Sequence, residues 1–422
     1  MPLLTDRFQP EAVLSCTGPE AAALPRHLLY ATAAGLGGTG LDSTSLEGAL
    51  ASHQAGILKR ALCFGVGTKA IPRQRIRSLN WHPARLLSWL ESEEYYGAKK
   101  RYVAAVAALE LRSGRYDAFH GWSGDCFDAL VEARLQGLPT VIDIPTWHRN
   151  KGAAKGGETR SEREARLASR GWRDWSKNLP IDRVRMLAEY DLADVILVPS
   201  RKAAETFLAA DVPESHLHYV ARGVDPGRYS PGHRQDDVFR LVIVGALIKR
   251  KGVHHLLAAW RRLNLKNAEL LLVGTLHDEM KPFMAELATA SVKHVGFSTR
   301  VQDEMRGSTA FVFPSECEGF AKVTLEAAAC ALPIIATAES GDAVVDGENG
   351  LIIPPNDVEA LAAAIEQFHV RRDELPAMGM RGRERVLRCL TWDHYRARIL
   401  QGYALAKSAA AGGHTQLSSG PA

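Results

Sequence analysis

Paired cysteines are missing from this sequence. Its six cysteines, Cys16, Cys63, Cys126, Cys317, Cys330 and Cys389, are scattered over 422 residues. None stands at C-x-x-C spacing and no Cys/His cluster has zinc-site spacing, which excludes a disulfide scaffold and a structural zinc module and suits a reducing compartment. Long apolar runs are missing too: none reaches the roughly 18–20 residues that a membrane helix needs. The opening MPLLTDRF has neither a basic region nor an apolar stretch after it, so no secretory signal is expected. A cytoplasmic protein is predicted, with peripheral contact at the inner face of a membrane left open. A strong charge of one sign is also absent. Lys+Arg 52 against Asp+Glu 48 leave +4, too little for a nucleic-acid binder. No Walker A loop occurs, and no D-x-D suited to a nucleotide-bound cation. What remains is an ordinary globular composition, 46% hydrophobic and 24% charged, long enough for two or three domains.

Short apolar runs alternate with helix-length segments. In the first half, strands are predicted at 12–16, 116–120, 140–144 and 194–198. In the second half they are predicted at 240–244, 269–273, 310–313 and 333–336. Strands spaced by helices read as βαβ units, hence an α/β fold of two doubly wound parallel sheets. The stretch 226–238 has two prolines, two glycines and no periodicity, and is read as the linker. Domains are therefore expected at 1–228 and 239–390, with a small, polar tail at 407–422 expected to be disordered. One segment concentrates charge. Residues 149–177 hold nine Lys/Arg against four acids, +5 net, together with Trp172 and Trp175. It reads as a solvated face or as a surface for anionic lipid or a phosphate-bearing acceptor.

Two motifs mislead. GLGGTG at 35–40 matches G-x-G-x-x-G, but the preceding LPRHLLYATAA reads as helix and position 60 is Arg60 rather than an acid. A Gly-rich connection is the expectation. HGWSGD at 120–125 is one residue short of a nucleophile elbow.

The chemistry concentrates at 311–336, FVFPSECEGFAKVTLEAAACALPIIA. A buried strand ends at Pro314-Ser315, and a helix is predicted to open near Gly319. In open α/β sheets such a turn faces the ligand crevice. Glu318 lies in the turn and Glu326 eight residues on, about 12 Å away if the stretch is helical. That span suits a nucleotide-sugar. Free N–H groups near Gly319, Phe320 and Ala321 are expected to favour its diphosphate.

This segment resembles the E-x7-E motif of retaining GT-B glycosyltransferases of family 4, the glycosyl transferases group 1. The resemblance implies that Glu318 contacts the transferred sugar and Glu326 the nucleotide ribose. LVIVGALIKRKG at 241–252 is similar to the family's glycine-arginine-to-lysine-glycine stretch. It implies Lys251 as the residue that neutralises the leaving diphosphate. Ala246 stands at the usual arginine position, and Lys249 or Arg250 is left to supply the charge. Val295-Gly296-Phe297 resembles the turn near the base, which places Phe297 in the donor site. Segments 189–200, 223–225 and 337–351 extend the likeness, with Arg222 in place of the customary Asn. Thr391-Trp392 resembles the opening of the last helix, 391–406, which crosses back to the first domain. The family's histidine near the reacting carbon falls on His148, with His120 as rival. Its phosphate-approaching glycines near the N-terminus carry over to Gly18 only in doubtful form.

The resemblance implies a metal-independent transferase that needs no cofactor. It would move a hexose from a nucleoside-diphosphate sugar to a hydroxyl of a glycan, lipid-linked or small-molecule acceptor. An epimerase or phosphorylase on the same fold, or a non-catalytic nucleotide-sugar-binding subunit, are the alternatives.

Overall fold

A computed structural model describes residues 6–12, 19–81, 92–149, 183–232 and 236–417. The first strand of the first sheet is β1, Leu28–Ala31. It lies inside the segment whose leucines and alanines predict helix. Its four residues are all fully buried, and burial at the centre of a sheet overrides a weak local helix preference. Residues 13–18, where a strand was expected, lie outside the described residues, and Pro10–Ala12 is a short 3-10 turn.

From β1 the first half continues as α1 (Leu41–Gln54), β2 (Leu58–Cys63), β3 (Ile76–Ser78), α2 (Ser92–Leu111) and β4 (Ala118–Trp122). Then come α3 (Phe127–Leu135), β5 (Thr140–Asp143), α4 (Arg183–Leu192), β6 (Val195–Val198), α5 (Arg201–Leu208) and β7 (Leu217–Tyr219). The strands pair in parallel in the order β3-β2-β1-β4-β5-β6-β7.

The second half runs β8 (Phe239–Val244), α6 (Val253–Leu263), β9 (Ala268–Val273), α7 (Lys281–Leu287), β10 (Val292–Gly296) and α8 (Val301–Arg306). It continues as β11 (Ala310–Phe313), α9 (Lys322–Ala329), β12 (Ile334–Thr337), β13 (Gly350–Ile353), α10 (Val358–Val370) and α11 (Leu375–Cys389). Its parallel sheet has the order β10-β9-β8-β11-β12-β13. Helices cover both faces of such a sheet, so the inner strands are near-continuous apolar runs. Val242, Leu270, Leu272, Phe311 and Ile334 are fully buried. Helix α6 buries Val253, Leu256, Leu257 and Trp260, the i, i+3, i+4, i+7 stripe of a helix on a sheet.

The last helix, α12 (Trp392–Leu417), returns to the first sheet and packs on α1, β5 and β6. Tyr395, Ile399 and Tyr403 join Leu28, Ala118, Val141 and Leu197 in one buried cluster. Lys407 Nζ donates to the carbonyls of Ala22 and Leu24 at 2.9 and 2.8 Å. Residues 407–417 are therefore helical, although their composition predicts disorder.

In each sheet the strand order reverses at one place, between β1 and β4 and between β8 and β11. Loops leaving the two strands at such a point diverge to opposite faces and open a crevice at the carboxyl ends. The two halves meet there. The amide of Gly319 has no room for a side chain beside it: a Cβ on Gly319 would collide with the Pro145–Thr146 backbone after β5. Asp342 Oδ2, after β12, accepts from Arg201 N at 2.8 Å and Tyr219 Oη at 2.9 Å in the first half.

Candidate active site

The loop after β8 and the loop after β11 build the centre of the site. The first turns through Lys249–Lys251 into Gly252, whose φ is +70°. A Cβ at Gly252 would strike the Pro314 carbonyl, so glycine is required both by the backbone and by the close approach of the two loops. The loops are stitched together by Glu316 N donating to Arg250 O at 2.9 Å and Ser315 Oγ donating to the same oxygen at 3.2 Å.

Lys251 folds back so that its ammonium fills the space a side chain on Gly245 would take, 5.5 Å from the Phe313 ring centre. Burial lowers its pKa; Glu318 opposes the shift and Arg250 adds to it. Arg250 donates from Nη1 to Glu318 Oε1 at 3.0 Å and also to the Cys317 carbonyl. Lys249 points elsewhere. Its ammonium sits 4.9 Å from the Phe283 ring centre, and its amide donates to Glu279 Oε1 at 2.9 Å. Of the two cations left open by the sequence, Arg250 is the one that lies beside Glu318.

Helix α9 begins at Lys322, three residues later than Gly319, and the Ala321 amide already donates to Ser340 O at 2.9 Å. Ala321 N–H is thus not free to meet a phosphate, contrary to the expectation. Only the last part of the stretch between Glu318 and Glu326 is helical, so the straight-helix spacing does not apply. Phe320 is buried and packs against Gly341. Glu326 lies one turn into α9. Burial raises its pKa, opposed by Lys322 and by a hydrogen bond from Tyr229. Phe297, just past β10, is 77% exposed, as a ring awaiting a partner would be.

Three participants escape the sequence reading. Lys322 Nζ crosses between the halves, donating to Gly40 O at 2.5 Å and to Ser43 Oγ. Gly40 closes the GLGGTG stretch, so that stretch is no idle connection. Strand β1 precedes it, α1 follows it, and it stands at the reversal point of the first sheet facing the second half. The helical reading of LPRHLLYATAA concealed this. Tyr229, in the stretch read as linker, is the third, through its bond to Glu326. Recognising LLYA as a strand would have exposed the first two; no local signal marks Tyr229.

His148 is brought next to the site by the loop after β5, but its ring packs on Tyr190 and Phe207, with centres 5.0 and 4.9 Å away, and the residue is 5% exposed. Its amide donates to Thr206 Oγ1 at 2.9 Å. His120 is deeper still, fully buried with Nδ1 2.8 Å from Tyr403 Oη beneath α12. Burial pushes its pKa down to about 3. On the first-half side, a pocket lined by Lys100, Arg101, Gly124, Arg185 and Glu189 opens at the end of β4. Gly18 and all of 149–177 except Arg149 lie outside the described residues. No described helix is long and apolar enough to cross a membrane.

Residues 238–369 match the model of the family described as glycosyl transferases group 1. Over that stretch the chain is similar to the group 1 glycosyltransferases. Over 328 residues, 73% of this chain and 75% of the relative, it is 28% identical to the MMP alpha-(1->4)-mannosyltransferase of Mycolicibacterium hassiacum. It is 27% identical over 255 residues to the GDP-mannose-dependent alpha-(1-6)-phosphatidylinositol monomannoside mannosyltransferase of Mycolicibacterium smegmatis. That match covers 54% of this chain and 66% of the relative. Among solved structures, the sucrose-phosphate synthase of Thermosynechococcus elongatus superimposes with a TM-score of 0.64 at 20% identity, over 94% of this chain and all of that one. The fold is GT-B, that of these glycosyltransferase structures.

Proposed function

We propose that the protein is a retaining hexosyltransferase that takes its sugar from a nucleoside diphosphate and gives it to a hydroxyl of a glycan, lipid-linked or small-molecule acceptor. The observation that carries this reading is the convergence of Lys251, Arg250 and Glu318 where β8 and β11 part. Two cations there face the charge that develops on a departing diphosphate, inside a crevice where such contacts are strong. Glu318 orients the hexose through its hydroxyls, held in place by Arg250. Glu326 takes the ribose, exchanging its bond from Tyr229 for sugar hydroxyls, and Phe297 lies against the base. The acceptor hydroxyl enters from the first half, between the GLGGTG loop and the loop carrying His148. Closure of the crevice aligns it and excludes water. Charge neutralisation by Lys251 and Arg250 makes transfer independent of added metal. Arg250 in this place favours an enzyme over a non-catalytic subunit, whose main support is Ala246.

The names of the mycobacterial relatives make GDP-mannose the first donor to test. A thermal-shift screen of GDP-, UDP- and ADP-sugars reads donor choice directly, because a ligand that binds only the native state raises its stability. Glu326→Ala should abolish transfer and weaken donor binding; unchanged turnover in that variant sinks the assignment. The +5 segment 149–177 is proposed as the acceptor-side or membrane-facing surface. Salt-sensitive binding to anionic vesicles, lost on neutralising Arg163, Arg166 and Arg170, is the expected result.

A further inference from the structure

Two consecutive histidines open helix α6, immediately after the Lys251-Gly252 turn. Neighbouring helical positions project about 100° apart, so such side chains ordinarily diverge. Here the rings of His254 and His255 lie with centres 3.8 Å apart and planes at 37°. Glu316, from the turn after β11, comes in from the other side. Its Oε1 is 3.9 Å from His255 Nε2. One ligand atom from each of the three residues lies within 4.8 Å of the others, and all three residues are half-buried. His254 Nδ1 is buried with no hydrogen-bond partner among the described residues, a costly state for an imidazole nitrogen. From this cluster we propose that His254, His255 and Glu316 bind a divalent transition ion of the Zn2+ class.

The donor set fits that chemistry. Two imidazoles and a carboxylate, with positions left for water, are a common zinc environment, and they are too nitrogen-rich for Mg2+. Two ligand atoms about 2.1 Å from one ion at a tetrahedral angle lie roughly 3.4 Å apart. The observed spread needs a contraction of about an ångström, which rotation of the Glu316 side chain, 35% exposed, supplies. His255 Nε2 would give up its 3.2 Å contact to Asn356 Oδ1 and carry its proton on Nδ1 instead. Of the charges that reach His254, Lys249 opposes a cation and Glu279 favours one, and Glu316 adds its own carboxylate. The site stands apart from the groups assigned to the donor but shares a turn with one of them, since Cys317 alone separates Glu316 from Glu318.

The test is calorimetric titration of the full chain with ZnCl2, with MgCl2 as control and with no donor present. The expected result is one equivalent of Zn2+ bound and no Mg2+ heat. Glu316→Gln and His255→Asn should each weaken that event by about 100-fold or more, given that losing even an outer-sphere partner costs 10- to 100-fold. Both positions are half-buried, so an unchanged melting temperature without metal certifies the fold of each variant. The same variants measured without zinc in the transfer assay separate this proposal from the functional reading: loss of zinc binding with transfer retained supports the site. Absence of stoichiometric Zn2+ binding to the native chain overturns it. So does equal affinity in Glu316→Gln and His255→Asn, which would place the zinc on another donor such as the Cys317 thiol.

Discussion

Arg250 and Glu318 are joined by a 3.0 Å ion pair across two loops that leave different strands of the second sheet. The arginine is 47% exposed and the glutamate 18%, so the pair adds little stability, on the order of 1 kcal/mol or less. Its weight falls on position: it holds the first glutamate of the E-x7-E motif against the turn after β8. Arg250→Ala is expected to lower kcat/KM about 100-fold, the scale of losing one preorganised charge at a developing anion, with the melting temperature nearly unchanged. Lys249→Ala should behave like the native chain. Steady-state kinetics on the two variants distinguishes them; equal losses would return the choice to Lys249.

Lys322 offers a titration. Burial pushes its pKa from the ordinary 10.5 to about 8, against the pull of Glu326. Between those values the unfolded chain keeps a proton that the folded chain has released. Stability owed to this group therefore rises as pH increases through that window. Lys322→Met has no such group. The stability difference, native minus variant, should climb from pH 7 to pH 10 by at most about 3 kcal/mol. Chemical denaturation at several pH values measures it, and a flat difference removes the burial argument.

Gly252→Ala tests the stitching of the loops. A methyl group at a φ of +70°, aimed at the Pro314 carbonyl, forces the β8 loop away from the β11 loop. Destabilisation of about 1–3 kcal/mol is expected, accompanied by weaker donor binding because Lys251 is the adjacent residue. Lys251→Ala should weaken turnover without the stability loss. Paired melting and binding measurements separate strain from lost charge.

Arg222 stands where the family usually has asparagine, and the structure gives it a partner. It donates from Nη2 to Asp143 Oδ1 at 3.0 Å and to the Ile144 carbonyl at 2.9 Å, and Tyr395 Oη donates to Asp143 Oδ2 at 3.1 Å. All of this is buried. Removing one member leaves the other charge uncompensated. Arg222→Asn should therefore cost about 3–5 kcal/mol, and the double variant Arg222→Asn with Asp143→Asn distinctly less. A double-mutant cycle by denaturation gives the coupling.

The legible parts of this sequence share a cause. Strands β8, β9, β11 and β12 emerge within a residue or so of their predicted bounds because strands buried on both faces are continuous apolar runs. The positions of Lys251 and Glu318 in turns at strand ends, and of Glu326 in a helix, are legible because apolar strands frame them. The rest depends on what sequence does not display. LLYA is too short and too leucine-rich to declare itself a strand, and misreading it hid the GLGGTG loop. The start of α9 is delayed to Lys322 by a bond from Ala321 to Ser340, residues from a different turn. Lys322 becomes relevant only when the two halves close on each other, and Tyr229 only when its stretch folds back on α9. The place of His148 after β5 is legible, but its ring packs on Tyr190 and Phe207, which no local pattern announces.

The crossing of α12 has a consequence for the order of assembly. Tyr395, Ile399 and Tyr403 complete the cluster that covers Leu28, Ala118, Val141 and Leu197, so this part of the first sheet stays uncovered until α12 is made. Domains generally form in the order in which they are synthesised. Here the second sheet has everything it needs while the first still awaits its last helix. The half that is made first is the half that is finished last, and the second half is, in effect, an insertion held between the two ends of its neighbour.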